Sequence, residues 1–375
     1  MTEHRAPVQP ELATDTLLLR GIDRWRQFWF SPQPMTTLGL VRIAFGLLMI
    51  CWTFSLLPDL LTFFGPNGVV QSAPSVRYAW GLLHIFTSER AAIVVWVVLL
   101  AAAIALTVGW HSRLAALVVF VVVMSFERRN IFVFNSGDVV LRIEALYLVL
   151  APSGAALSLD RLRTAGSFWS AQVRAPWVLR LMQVQLSLIY LSTVHDKLTG
   201  TTWNQGTAVS YALRLSDLAA VPVPHWLSTN PELMNLATWG TLVLELSLGV
   251  LVWNRRVRPW ILTAGVLMHL IFVVTLAVAF FSFGMYVLYL AFLPTEAADR
   301  VVGRVRGWLP NRAQSAPPST DGDAAPGALA MADDEAGAEL DLEPAAGGAG
   351  SVGGSAEGVT GKSAEDRADA PGRTG

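Results

Sequence analysis

Long apolar runs constrain the fold of this chain more than any other feature. They lie at residues 38–57, 91–110, 113–131, 138–157, 177–196, 236–253 and 259–293. A helix needs about 20 mostly apolar residues to cross the hydrocarbon core of a bilayer. The last run is too long for one crossing, and its interruption at Ser282, Phe283 and Gly284 favours two helices, near 259–276 and 279–294. The sequence therefore predicts an all-α, polytopic integral membrane bundle of about eight transmembrane helices.

The composition agrees with this class and excludes several others. Hydrophobic residues make up 53% of the chain and charged residues 15%, whereas soluble domains have about a quarter charged residues. The single cysteine, Cys51, excludes an intramolecular disulfide and a cysteine-rich metal site. The histidines show none of the spacings typical of zinc sites, so no metal is expected. The basic residues indicate membrane topology and do not point to a nucleic-acid partner.

The chain divides into three regions. Residues 1–34 hold an amphipathic segment, 16–34, whose arginines and aromatic rings are typical of a helix at the membrane interface. Residues 35–296 form the transmembrane domain. Residues 297–375 begin with a basic juxtamembrane stretch and continue, from about 313, as an acidic tail that is too polar to bury a core and is predicted to be disordered. The sequence identifies no protein partner for the tail.

The distribution of basic residues predicts the orientation. Arginines are concentrated before the first span, in 161–180, in 255–258 and in 300–312, and they are fewer in the alternate connections. Because cytoplasmic loops carry the excess of positive charge, both termini are expected to be cytoplasmic in a multi-pass protein of the cell membrane. This orientation places the end of the fifth span, near residue 197, at the outer face.

Lys197 is the first candidate for chemistry. It is the only lysine in the membrane-embedded part, and the other lysine, Lys362, lies in the tail. Arginine is used everywhere else, and a lysine amine can lose its proton where a guanidinium cannot. The alternative is that Lys197 only anchors a helix end at the lipid headgroups.

Ionisable residues inside the spans are further candidates, because an unpaired charge in hydrocarbon is costly. Asp138 and Arg142 are four residues apart, a spacing that allows them to pair or to line one cavity. Glu245 has no opposite charge on its own helix, so it is expected to reach Arg42, Arg142, His269 or water. His269 is either a packed side chain or part of a site.

At these residues the chain resembles a known family. The matching segments are WRQFWFSPQP, RIAFGLLM, FFGPNGVV, ERRNIFVFNSGDVVLRIEALYLVLAPSGAALSLDR, QLSLIYLSTVHDKLTGTTWNQGTAVSYAL and MHL, in order within about residues 22–294. The family is HTTM, the transmembrane domain shared with vitamin K-dependent γ-glutamyl carboxylase. There, a lysine in a Y(F/L)xxxxxKL…W…G pattern deprotonates the reduced vitamin. Lys197, followed by Leu198, Trp203 and Gly206, occupies that place, so the resemblance implies a catalytic base.

The resemblance has limits that bear on the reaction. The carboxylase has a catalytically important histidine where this chain has the segment 130–138, which contains none. The tail after Arg312, which is predicted to be disordered, is not expected to form the large luminal domain that holds propeptides in the carboxylase. Peptide carboxylation is therefore not implied. The arginine, alanine and glycine content is typical of a GC-rich bacterial source, which favours reduced menaquinone over vitamin K as the quinol.

These observations give one catalytic hypothesis. An isoprenoid quinol enters from the bilayer and gives a proton to Lys197, as in a quinol-dependent oxygenase or γ-carboxylase-like enzyme. An outward-facing polar cavity is expected at the ends of the spans near 113–157 and 177–206. The residues predicted to bind substrate or line this cavity are Asn130, Asn135, Asp138, Arg142, Tyr190, His195, Trp203, Glu245 and His269.

Two other functions stay open. The same cavity could bind a lipid or isoprenoid without catalysis, or the bundle could be a scaffold for partners of the tail. A transporter is less favoured, because the sequence contains no paired broken helices and no symmetry between its halves. Loss of turnover on removing Lys197 separates the enzyme from the binding protein.

Overall fold

Helices account for nearly all regular structure in the computed structural model, which describes residues 10–70, 80–217 and 219–308. In chain order the helices are α1 (Pro10–Phe30), α2 (Thr36–Ser55), α3 (Leu60–Phe64), α4 (Leu82–Ile85), α5 (Glu89–Val108), α6 (Ser112–Arg129), α7 (Ser136–Leu150), α8 (Leu159–Ala165), α9 (Trp177–Leu198), α10 (Thr201–Asn204), α11 (Ala208–Arg214), α12 (His225–Ser228), α13 (Pro231–Val250), α14 (Arg258–Thr275), α15 (Ala279–Leu290) and α16 (Thr295–Trp308). A 3₁₀ turn, Leu251–Trp253, follows α13. Two short antiparallel strands, β1 (Gln33–Pro34) and β2 (Val173–Arg174), tie the start of α2 to the start of α9.

Each predicted span corresponds to a helix, namely α2, α5, α6, α7, α9, α13, α14 and α15. Within the described residues, α2, α5, α9, α14 and the segment Pro231–Trp253 are long and apolar enough to cross a membrane. The helix α6 carries charged residues near both ends, and α7 and α15 have only 15 and 12 residues. The all-α helical bundle is thus confirmed, and the number of eight crossings stays a prediction.

The last apolar run divides into two helices where the sequence predicts the division, because α14 ends at Thr275 and α15 begins at Ala279. The break lies at residues 276–278, and Ser282 and Gly284 are inside α15. Leu276 is extended and forms an isolated β-bridge with Ala219, which ends α14 early. The Ser282 hydroxyl lies 3.2 Å from Nδ1 of the buried His269, and the helix continues through Ser282. At its far end α15 meets α16 at an angle of 107°.

The long helices pack in two groups. Neighbours in the first group are α2 with α5, α5 with α6, and α6 with α7; the second group is α9, α13 and α14. The helix α15 contacts both groups, through α2 and α7 on one side and α9 and α14 on the other. Buried alanines on α5 and α6 (Ala102, Ala103, Ala115 and Ala116) allow the close helix approach that membrane bundles use. This arrangement places the end of α9 beside α13.

The two terminal regions are only partly described. The predicted interfacial segment 16–34 falls mostly in α1, where Trp25 and Phe30 are exposed while the ring of Phe28 lies against Trp253 and under the Arg180 guanidinium. The first part of the basic stretch after residue 296 is helical, because α16 extends from Thr295 to Trp308. The predicted disordered tail, from about 313 to 375, lies outside the described residues.

Candidate functional site

The last two turns of α9 present polar groups on one side. Tyr190, Thr193 and Lys197 are spaced three and four residues apart, and such residues share one face of a helix. In this bundle that face meets α13, α14 and α15. The cationic end group also suits the last turn of a helix, where the peptide dipoles carry partial negative charge. The sequence thus concentrates polar chemistry at one helix end.

Lys197 forms an ion pair with Glu245 of α13. The Glu245 side chain is 5% exposed and that of Lys197 is 23% exposed, so the pair lies at the edge of the protein interior. The Thr193 hydroxyl donates to the second carboxylate oxygen over 3.5 Å, and the Lys197 Nζ lies 4.7 Å from the centroid of the Trp203 ring. The expectation that Glu245 reaches Arg42, Arg142, His269 or water was wrong, because the packing of α9 on α13 brings Lys197 to it.

A second polar network lies deeper along the same face of α9. The Tyr190 hydroxyl shares a hydrogen bond of 2.9 Å with His269 Nε2 and another with the hydroxyl of Tyr289. The other ring nitrogen of His269 is 3.2 Å from the Ser282 hydroxyl. His269 is 1% exposed, so both of its nitrogens are satisfied in a buried environment. Here the structure brings together two residues that the sequence indicated separately, Tyr190 and His269.

Three members of these networks, Thr193, Ser282 and Tyr289, were not predicted as site residues from the sequence. A signal for two of them was present. Ser282 and Tyr289 are two of the three hydroxyl-bearing residues in the mostly apolar α15, and their spacing of seven residues places them on one helix face.

A cavity of about 880 Å³ opens beside Lys197 and Trp203. Its walls come from α11, the segment 221–224, α13 and α14. Apolar side chains dominate the lining, among them Val209, Leu213, Val221, Leu227, Met234, Leu244, Met268, Ile271 and Phe272. Lys197, Thr241 and Thr275 are its few polar members. The volume is in the range of cavities that bind small organic ligands, which are also mostly apolar with a few placed polar groups.

The sequence predicted one polar cavity at the ends of the spans near 113–157 and 177–206, and this prediction was wrong for the residues of the first pair of spans. Asn130, Asn135, Asp138 and Arg142 do not line the Lys197 cavity. Asp138 accepts hydrogen bonds of 2.8 Å from the Trp52 indole and from the backbone N–H of Asn135, and so caps the start of α7. Asn135 and Asp138 line a separate, smaller pocket of about 190 Å³.

The remaining predicted residues also have other places. Arg142 pairs with Glu127 of α6 and not with Asp138, whose oxygens are already used. The Asn130 amide donates to the Phe63 carbonyl oxygen over 3.1 Å, which fixes a loop. His195 is exposed on another side of α9 and does not line the cavity.

One known family matches most of the chain. A model of the HTTM domain matches residues 30–296, well over half of the chain. This chain belongs to the HTTM domain family. No curated protein and no solved structure matches it. The matched region of this HTTM protein contains α2 to α15 complete, together with the Lys197–Glu245 pair and the cavity.

Two further features of this HTTM protein complete the chemical inventory. Glu144 of α7 is fully buried, and neither of its carboxyl oxygens has a hydrogen-bond partner among the described residues. Within the same residues, no group of histidine, cysteine and acidic side chains could hold a metal ion. The Lys197–Glu245 pair can take up a proton beside a cavity whose lining is mostly apolar. Of the two ion pairs among the described residues, it is the one that borders the cavity of about 880 Å³.

Proposed function

We propose that this HTTM protein is a quinol-dependent membrane enzyme, an oxygenase of the γ-carboxylase-like type, in which Lys197 is the base. The observation that carries the proposal is the position of the Lys197 amine. It lies beside a carboxylate with little exposure and at the edge of an apolar cavity of about 880 Å³. A base directed at a lipid-soluble acid needs this combination, because the acid must be held away from water while its proton is taken.

The residues present fit an isoprenoid quinol. Its ring and chain are apolar, as are most side chains that line the cavity. Trp203 offers an aromatic wall next to the amine, since its ring lies 4.7 Å from Nζ. When bound, a reduced menaquinone or vitamin K-like quinol supplies a weakly acidic hydroxyl group and the electrons for a reaction with dioxygen.

The proton movement follows from the ion pair. In the resting pair the Lys197 ammonium faces the Glu245 carboxylate. Lys197 passes a proton to Glu245 and takes one from the phenolic hydroxyl, which leaves Glu245 neutral and Lys197 again an ammonium. Negative charge then remains on the substrate oxygen beside the ammonium, which stabilises it by charge attraction. One proton has moved from the substrate to Glu245, and none is gained or lost.

The proposal includes a location. A multi-pass protein of the cell membrane with both termini in the cytoplasm would hold Lys197 near the outer face. A quinol dissolved in the bilayer would reach the cavity between helices without crossing water. Exposed apolar side chains on α13 and α14, such as Val243, Leu267 and Ile271, support a lipid-facing entrance.

The decisive experiment measures quinol epoxide and oxygen uptake by the protein in nanodiscs supplied with reduced menaquinone. Lys197→Arg is the informative variant, because arginine keeps the charge opposite Glu245 but cannot act as a base near neutral pH. We expect turnover in the wild type and none in a folded Lys197→Arg protein. Asp196→Asn, at an exposed neighbour, is the matched control and should keep its activity. Full turnover in Lys197→Arg would disprove the role of the lysine.

A second function is favoured by one observation. Apart from Lys197, Thr241 and Thr275, the cavity offers few polar side chains to direct a reaction. Binding of a lipid or isoprenoid without catalysis would need no more than this. That function predicts that quinone raises the melting temperature of wild type and of Lys197→Arg alike, with no turnover in either.

A further inference from the structure

A second large groove is lined by other residues of α14, among them Pro259, Leu262 and Val266. It has a volume of about 980 Å³ and lies between α2, α14 and α15, with α9 and the start of α16 at one end. Along α2 it extends from Thr37 to Cys51, and fourteen helical residues correspond to about 21 Å. One leaflet of the hydrocarbon core is about 15 Å thick. The groove is therefore long enough for an acyl chain.

The walls of the groove suit hydrocarbon. Leu47, Leu262, Val266, Phe280 and Phe283 line it. Leu47 is 52% exposed and Phe283 is 40% exposed, so the groove is open along its length at the surface of the bundle. In a membrane protein such a surface faces lipid.

One end of the groove is basic. Arg180, Arg255 and Arg258 all line this end. They are close enough for Arg180 to be repelled by the two others. Neither described ion pair involves any of the three. The carboxylate of Glu296 lines the groove too, so the end carries a net positive charge.

Two of these arginines are held in place by the chain itself. Arg258 donates to the carbonyl oxygen of Val252 over 2.8 Å, and Arg180 donates to that of Phe28 over 3.1 Å. Arg255 makes no hydrogen bond through its side chain to any described residue and is exposed. The site thus has two fixed positive charges and one that is available to an anion.

The aromatic residues place this end at the level of the lipid headgroups. Trp260, two residues after Arg258, is 78% exposed, and exposed tryptophans concentrate at the membrane interface. The helix α16 begins here and runs at 107° to α15, as expected for a segment that does not continue across the bilayer. An anionic phospholipid has a negative headgroup and acyl chains about as long as one leaflet is thick. The positive charge at the headgroup level and the apolar groove, which is at least that long, match these two parts.

We infer that this groove is a binding site for an anionic phospholipid of the surrounding membrane. Its phosphate lies at Arg255 between Arg180 and Arg258, and an acyl chain lies against α2 and α15. The inference does not depend on the proposed reaction at Lys197, because the two cavities share no lining residue.

The test is native mass spectrometry of the full-length protein after addition of phosphatidylglycerol or phosphatidylcholine. The variant is Arg255→Gln, and the control is Arg256→Gln, at an exposed neighbour that does not line the groove. We expect the wild type to retain phosphatidylglycerol in preference to phosphatidylcholine. Arg255→Gln should reduce that retention about fivefold, the effect of one arginine near an anionic surface. Arg256→Gln should leave it unchanged.

Three results would overturn the inference. Equal loss of phosphatidylglycerol in Arg255→Gln and Arg256→Gln would mean a diffuse attraction of the basic face. Equal retention of the two lipids by the wild type would mean that charge does not select the lipid. A Leu47→Trp variant narrows the apolar part of the groove without changing its charge, and it should also lower the retention of phosphatidylglycerol. If it does not, the lipid lies outside the groove.

Discussion

Arg42 and Lys197 are both cations inside the helical bundle, and they are held in opposite ways. Arg42 of α2 is 0% exposed, and its guanidinium donates to the carbonyl oxygens of Ser153, Ala156 and Leu157. Lys197 faces one carboxylate, one aromatic ring and a cavity. The guanidinium of Arg42 is bonded to backbone carbonyl groups, three of one loop and that of Thr107 on α5, whereas the amine of Lys197 keeps contact with space that a ligand can enter.

The difference separates a structural charge from a chemical one. Five fixed donors suit arginine to a loop with several unsatisfied carbonyl groups. A single amine with a replaceable proton suits lysine to a pair that exchanges protons. The choice of residue at each position follows from the number and kind of acceptors around it.

The largest effect is expected at Arg42. Arg42→Met leaves buried carbonyl oxygens without donors, and each such loss costs about 1–3 kcal/mol. The total free energy of unfolding should fall by more than about 3 kcal/mol, enough to prevent folding in most detergents. Thermal unfolding followed by tryptophan fluorescence measures this. A variant as stable as wild type would show that the loop finds other donors.

The Lys197–Glu245 pair should be less important for folding. Lys197→Met leaves a buried carboxylate without its partner and should cost about 1–3 kcal/mol, less than a fully buried pair because Lys197 is partly exposed. The double variant Lys197→Met/Glu245→Leu removes both charges and should recover most of the loss. A double-mutant cycle of melting temperatures measures the coupling. If the losses simply add, the two side chains do not interact.

A substitution at Gly109 tests how tightly the chain packs around Arg42. Gly109 has φ +75°, and a Cβ there would lie 2.4 Å from the Ser158 Cβ and 2.5 Å from an Arg42 nitrogen. Gly109→Ala should therefore cost more than the backbone strain alone, by about 1 kcal/mol or more. Gly166→Ala is the matched control, because Gly166 has φ +67° and no atom within 4 Å of the added carbon. Equal melting temperatures for the two variants would contradict the tight packing around Arg42.

The smallest effect is expected for the pH dependence of stability that arises from Asp160, near the start of α6. Burial alone would raise the pKa of Asp160, but hydrogen bonds from Ser112 and His111 hold it below the ordinary 3.8. The folded state then binds this proton less readily than the unfolded state, so the contribution is complete above about pH 4 and is lost as the pH falls through the lowered folded value.

Asp160→Asn should cost about 1 kcal/mol at neutral pH, as for a helix cap, since Asp160 accepts from the first N–H groups of α6. The measurement is thermal unfolding of wild type and variant from pH 7 to pH 3. The difference between them should shrink on the acid side. A difference that grows as the pH falls would reverse the assigned sign.

Much of this molecule could be predicted because the signals are local. Apolar runs of about 20 residues identified the long helices and also the break in the last run, where a bridge between Leu276 and Ala219 ends α14. The scarcity of lysine identified Lys197. Residue spacing within one helix cannot reveal a partner on another helix. For that reason the sequence proposed Asp138 for Arg142, where Glu127 is the partner.

The membrane class, the helices, the HTTM resemblance and the importance of Lys197 follow from the sequence, because they depend on composition and on residues close together in the chain. The pairing of Lys197 with Glu245, which are 48 residues apart, became visible only in the folded bundle. The apolar cavity beside them, built by α11, α13 and α14, also became visible only there. Such facts depend on which helix faces pack together, and many packings satisfy the same apolar pattern.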